Sequence, residues 1–108
     1  MQPNKCMWLH LDEADQTGND MVLTEQDNDV IVHNKQTNDA TQNWIYDDKT
    51  NKIKNMGSGK FLGEKDGDAT IDNGVGWWYD QYKSTISTKI KAWSEDRNDW
   101  VMNKYLSV

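Results

Sequence analysis

Three groups of reactive side chains stand out in the chain. Glu25 and Asp29, Glu64 and Asp68, and Glu95 and Asp99 repeat one Glu-x-x-x-Asp spacing three times. Paired carboxylates are the hard oxygen ligands that suit calcium. Each aspartate also flanks a tight turn, where Asp serves backbone geometry, and no twelve-residue helix–loop–helix calcium pattern is present. Turn chemistry is therefore the expectation, and no metal is assigned. Cys6 and His10 share one face of an extended segment, but four residues of strand separate them by about 13 Å, too far for a nucleophile–base hydrogen bond. Gly57-Ser58-Gly59-Lys60 has the composition of a phosphate loop without its spacing or its following Ser/Thr. No His or Cys spacing suits zinc. These readings predict a non-catalytic protein with no cofactor, whose chemistry is non-covalent recognition.

The elements that position such groups recur along the chain. Trp8, Trp44 and Trp78 lie 36 and 34 residues apart, each followed by a similar stretch: Trp8-Leu9-His10-Leu11-Asp12, Trp44-Ile45-Tyr46-Asp47-Asp48 and Trp78-Tyr79-Asp80-Gln81. A second motif repeats in step, as Leu23-Thr24-Glu25-Gln26-Asp27-Asn28-Asp29, Leu62-Gly63-Glu64-Lys65-Asp66-Gly67-Asp68 and Trp93-Ser94-Glu95-Asp96-Arg97-Asn98-Asp99. Two motifs in phase three times imply repeated supersecondary units. The expected repeats are 8–43, 44–77 and 78–108 plus 1–7, within one domain spanning 1–108. Trp8, Trp44 and Trp78 are expected in the core, with Trp93 beside them in the place of Leu23 and Leu62.

Short alternating stretches bounded by Asn, Asp and Gly predict many short strands. Three hairpins surround the second motif. Met21–Gln26 and Asp29–Asn34 flank Asp27-Asn28; Lys60–Lys65 and Asp68–Asn73 flank Asp66-Gly67; Ile90–Asp96 and Asp99–Asn103 flank Arg97-Asn98. Both central residues of such two-residue turns need positive φ, which Gly and Asn tolerate. Alternation places Val30 and Val32, Ala69 and Ile71, and Trp100 and Met102 on one face each. Three further hairpins hold the first motif: Cys6–Asp12 returning through Asp15–Asp20, Gln42–Asp47 through Lys52–Asn55, and Trp77–Tyr82 through Ile86–Ile90. Isolated hairpins are marginal in water, so the six are expected to close together.

Composition narrows the partners. Of 108 residues 35% are hydrophobic and 28% charged, with a net charge of −6. Six tryptophans and four tyrosines compensate a thin core with large rings. The acidity disfavours nucleic acid and anionic membranes. No segment has transmembrane length. Cys6 is the only cysteine, so no intrachain disulfide forms, and no signal-peptide pattern opens the chain. A cytoplasmic protein is the expectation, and secretion of a processed chain is also compatible. Monomer and homodimer both remain open, since repeats can swap between chains.

Three repeats of four short strands, each with a tryptophan entering one strand, resemble a β-trefoil, and the local text resembles its ricin B-type lectin branch. Gln42-Asn43-Trp44 matches the family's Gln-x-Trp motif, and Lys52–Leu62 resembles its strand, Ser-Gly-Lys loop and Leu-bearing strand; Lys104–Val108 resembles a second copy of that last strand. The expected fold is an all-β trefoil of six hairpins in three pseudo-repeats, circularly shifted or minimal. Two repeats depart from the motif, with Cys6-Met7-Trp8 and Gly76-Trp77-Trp78 in place of the glutamine-bearing triplet. Where sugar-binding members carry an aspartate after the leucine, this chain has Thr24, Gly63 and Ser94; an acid follows one residue later, on the opposite strand face. The resemblance implies a carbohydrate-binding, lectin-like module whose partners are glycans. Repeat one keeps the most polar set: Glu25 and Asp27 on its hairpin, His33 and Asn34 where the family places an aromatic and a polar residue, then Gln42. Trp77, out of phase with Trp78, is expected to face solvent and stack on a sugar. The alternatives are a protein-interaction module on the same scaffold and an engineered or reconstructed minimal trefoil without a selected ligand.

Overall fold

Hairpin turns organise the chain, and their left-handed residues show where. In a computed structural model, residues 6–14, 20–80, 82–86, 90–103 and 106–108 are described, without the side chains of 12–14 and 103. The strands in order are β1 (Cys6–Met7), β2 (His10–Ala14), β3 (Asp20–Gln26), β4 (Asp29–Asn34), β5 (Trp44–Asp47), β6 (Lys52–Asn55) and β7 (Phe61–Lys65). There follow β8 (Asp68–Asp72), β9 (Tyr79–Asp80), β10 (Thr85–Ile86), β11 (Ile90–Ser94), β12 (Asp99–Asn103) and β13 (Leu106–Ser107), and a single 3-10 turn occupies Ala40–Gln42. The protein is all-β, and these strands join in one sheet ordered β1-β5-β6-β7-β8-β11-β4-β3-β2-β13-β10-β9, with β12 on β11. Its Cα radius of gyration, 12.4 Å, is close to the ~13 Å of a compact 100-residue domain. No helix among the described residues is long and apolar enough to cross a membrane. Parts of the expected Asp15–Asp20, Trp77–Tyr82 and Ile86–Ile90 strands, and Lys104-Tyr105, lie outside the described residues.

Two of the expected turns form as read. Asp27 (φ 52°) with Asn28 (φ 62°), and Asp66 (φ 53°) with Gly67 (φ 87°), close β3–β4 and β7–β8 through Gln26↔Asp29 and Lys65↔Asp68. Glu25 and Glu64 each accept the amide of the residue three further on, Asn28 and Gly67, which explains their repetition.

The third turn differs. Arg97-Asn98 does not make a two-residue turn. The β11–β12 pairing ends at Ser94↔Asp99, leaving a four-residue loop in which only Asn98 (φ 53°) lies at positive φ among the described residues. Arginine gains nothing locally from a left-handed backbone, so a loop needing one such residue replaces a turn needing two. The residue opposite Asp99 is Ser94 and not Asp96, two residues along β11, so the strands keep their relative phase and Trp93, Trp100 and Met102 share one face. That face is the outer one: Ala92, Ser94 and Val101 are buried, while Trp100 and Met102 stand 49% and 56% exposed. Trp93, half-buried, packs edge-on against Trp100 with ring centroids 5.6 Å apart. The expected core place of Trp93 is corrected accordingly, and Trp100 and Met102 share one face as expected.

A second correction concerns the first motif. Trp44 and Trp77 are buried, Trp78 is 78% exposed, and Trp8 is half-buried between buried Met7 and Leu9. Trp44 corresponds to Trp77 and not to Trp78, and the shared text is Trp-x-Tyr-Asp: Trp44-Ile45-Tyr46-Asp47 and Trp77-Trp78-Tyr79-Asp80. Local geometry confirms this correspondence. The Trp44 indole donates to the Leu23 carbonyl at 3.1 Å, and Trp77 donates to the Leu62 carbonyl at 3.0 Å. Asp47 accepts the Lys49 amide and Asp80 the Tyr82 amide, and four residues beyond each aspartate sits a left-handed residue, Asn51 (φ 59°) and Ser84 (φ 53°). Tyr46 and Tyr79 meet in the core with ring centroids 5.6 Å apart. Hydrogen bonding from the Lys49 amide holds the Asp47 carboxyl below its ordinary range. Burial raises the Tyr46 phenol, with Asp48 and Asp47 adding to the shift.

The two turns differ at one atom. The Tyr46 hydroxyl donates to Asn51 Oδ1 at 2.8 Å, whereas the buried Tyr79 hydroxyl has no partner among the described residues, because the equivalent position holds the shorter Ser84. Ser84→Asn supplies the missing acceptor and a side chain better suited to positive φ, so it should stabilise the fold by ~0.5–1.5 kcal/mol. Urea unfolding measures this, and a neutral or destabilising result contradicts the assigned equivalence. Trp44→Phe and Trp77→Phe each strip the hydrogen-bond donor from a buried carbonyl and should cost ~1–3 kcal/mol. Trp78→Phe should stay within ~0.5 kcal/mol in the same urea experiment.

Candidate functional site

The longest connection between the repeated elements runs from Val32 on β4 to Trp44 on β5. Its counterpart, from Ile71 to Trp77, is six residues shorter. The extra length builds an open hollow of about 440 Å³ lined by His33, Gln36, Thr37, Asn38 and Asp39. One imidazole, two amides, a hydroxyl and a carboxylate thus converge on one concavity. Gln36, Thr37 and Asn38 are exposed, while His33 and Asp39 are half-buried.

The floor of this loop is held by a glutamine. Gln42 is fully buried; its amide nitrogen donates to the Asn34 carbonyl at 2.8 Å and to Thr24 Oγ1 at 3.2 Å, and its oxygen accepts the Gln36 amide at 2.7 Å. The 3-10 turn that follows is capped by Asp39, whose carboxylate accepts the Thr41 amide at 3.0 Å and the Thr41 hydroxyl. From the other side Asn55, also fully buried, donates to the Thr41 carbonyl at 2.8 Å. His33 is oriented by Asp96 on the β11–β12 loop, with Nδ1 to Oδ2 at 3.0 Å, and Gln26 reaches Glu95 of the same loop at 3.2 Å. A recognition loop fixed at both ends and beneath pays little ordering entropy on binding.

The six residues expected at a site from the sequence separate in the structure. His33 lines the hollow, and Asn34 lies beside it with its carbonyl held by Gln42 and its Oδ1 buried without a partner among the described residues. Gln42 lies beneath, with its donors and acceptor committed to the loop, so it shapes the hollow without facing it. Glu25 and Asp27 belong to the β3–β4 turn and do not line the hollow. Trp77, expected to be open, is 5% exposed and its indole N–H is spent on Leu62. The exposed ring is its neighbour Trp78. Gln36, Thr37, Asn38 and Asp39 were not singled out; the visible signal was the extra polar length before Gln42.

The position after each leucine is closed to an added carboxylate. Thr24 is buried and bonded to Gln42 and to the Val22 carbonyl. A side chain at Gly63 would collide with Asp72 and Thr70, its Cβ 2.5 Å from Asp72 Oδ1. Those two residues bond each other at 2.9 Å, so repeat two fills that space from its own strand. Ser94, which follows Trp93, is buried, and its hydroxyl oxygen accepts the Arg97 amide at 3.2 Å.

No group of three or more His, Cys, Asp or Glu side chains able to hold a metal occurs among the described residues. Compared with known proteins, the chain matches no family model, no curated protein and no solved structure.

Gln42→Ala leaves the Thr24 hydroxyl and the Asn34 carbonyl buried without their partner. It should cost ~2–3 kcal/mol in equilibrium urea unfolding. Unchanged stability would instead mark Gln42 as a free ligand-binding group, as the sequence suggested.

Proposed function

We propose that the protein is a non-catalytic carbohydrate-binding module on a β-trefoil scaffold, with its sugar site in the His33–Asp39 hollow. The observation that carries this reading is the lining itself: amide, hydroxyl and imidazole groups with one carboxylate, in an open cavity of about 440 Å³. Sugar hydroxyls are donors and acceptors at once, and this set answers both. The volume lies within the range of small-ligand sites. The trefoil reading is supported by the shared Trp-x-Tyr-Asp turns, the two indole–leucine bonds, and the mutual contact of the three hairpins. In that contact β11 runs parallel to β4 through Trp93↔Ile31 and Ser94↔Val32, and to β8 through Lys91↔Asp68. Binding of this kind changes no covalent bond and requires no acid–base pair.

An NMR titration with monosaccharides and disaccharides at millimolar concentration tests the site. Amide and side-chain signals of residues 33–39 should shift saturably, and Gln36→Ala or Asn38→Ala should weaken binding about tenfold, the loss of one good hydrogen bond. Both side chains are exposed, so stability should be unchanged. Silence of residues 33–39 across a diverse sugar panel would sink the assignment. A second reading, a protein-interaction module, is favoured by the exposed Trp100 and Met102 on β12. Sugar-insensitive capture of one defined protein, lost in Trp100→Ala, would support it.

A further inference from the structure

On the far side of the repeat correspondence lies a second hollow, of about 340 Å³, lined by Trp78, Tyr79, Asp80 and Tyr82. Trp78 is 78% exposed and Tyr82 wholly so. Single exposed aromatics need no explanation, but two that flank one concavity with a carboxylate between them do. The turn that holds them is built from the backbone. Asp80 Oδ1 accepts the Tyr82 amide at 3.0 Å and the Lys83 amide at 3.1 Å, which fixes the start of the turn relative to β9. Asp80 Oδ2 makes no hydrogen bond among the described residues and remains an acceptor.

The chain contains its own control for whether the fold needs these rings. In the equivalent turn of the preceding repeat, Trp78 and Tyr82 correspond to Ile45 and Lys49. There the same aspartate cap, the same left-handed residue and the same buried tyrosine form without an exposed aromatic. Neither ring is therefore required for folding, and both expose area that costs free energy in water.

We propose that Trp78 and Tyr82 form a second carbohydrate platform, on which the apolar face of a pyranose ring stacks while Asp80 accepts from its hydroxyls. This inference rests on the glycan reading of the protein but uses a separate set of residues. The open disposition of the rings selects the ligand. A quaternary ammonium is held best when rings enclose it, whereas a flat sugar face needs a ring that stands free. With the His33–Asp39 hollow, the module becomes bivalent, and linking two weak sites raises avidity toward branched or clustered glycans.

The experiment is a ¹⁵N-resolved titration of the full chain with glucose, galactose and N-acetylglucosamine disaccharides, and separately with tetramethylammonium chloride. The Trp78 indole and Tyr82 amide should move saturably with at least one sugar. Trp78→Ala and Tyr82→Ala should each weaken that response at least tenfold with thermal stability unchanged, while shifts at residues 36–39 persist. Asn38→Ala should give the opposite pattern. Shifts at residues 36–39 with none at Trp78, or a Trp78 response to tetramethylammonium but to no sugar, overturn the platform and leave the first site standing. A Trp78 response with residues 36–39 silent leaves the platform and removes the first site. Silence at both removes both.

Discussion

The fold depends on a hydrogen bond from a buried indole to the carbonyl of a leucine in the preceding hairpin. Trp44 reaches Leu23 and Trp77 reaches Leu62. Each bond satisfies two polar groups that burial would otherwise penalise, and each places a large ring where a chain with only 35% hydrophobic residues most needs apolar area. The bond also sets phase. It binds the entry of one strand to a specific residue of the hairpin before it, so the residues that follow inherit their inward or outward direction. Tyr46 and Tyr79 then meet in the core, and Asp47 and Asp80 take up the same capping role. Met7 is buried on β1, which pairs with β5 opposite Trp44, and β13 lies beside β2.

With the core phase settled by these contacts, the candidate sites come from departures between the repeats. The Val32–Trp44 connection is long enough to arch over Gln42 and leave a polar hollow. The Ile71–Trp77 connection is shorter, and Thr70 with Asp72 occupies the space beside Gly63. At the turn after β9, Trp78 and Tyr82 stand where Ile45 and Lys49 stand after β5, with an aspartate cap and a left-handed residue in both places. Departures of this kind cost the core nothing, because loop length and outward residues can vary while the indole bonds stay in place.

How far the chemistry was legible depended on the interaction. The Asp27-Asn28 and Asp66-Gly67 turns were readable because positive φ is a local property of those residues, and Glu25 and Glu64 followed as turn acceptors. Arg97-Asn98 failed because only one of its two residues tolerates that backbone, and a four-residue loop forms in place of the two-residue turn. Trp77 and Trp78 are adjacent and chemically identical, so composition could not tell the core ring from the open one. Tyr79 could: it lies two residues after Trp77, as Tyr46 does after Trp44. In the polar hollow, His33 and Asn34 were visible as strand-end polar residues. Gln36 to Asp39 have no periodicity to betray their direction, and Gln42 was recognised as important but given the wrong task.

By itself the sequence determined that the chain is all-β and built largely from short antiparallel hairpins, because turn-forming residues and alternating patterns act over a few residues. Tertiary structure alone decided which face of each strand turns inward. A strand pattern of period two reads almost equally well when shifted by one residue. Only a long-range contact, such as an indole finding one particular carbonyl, distinguishes the two phases.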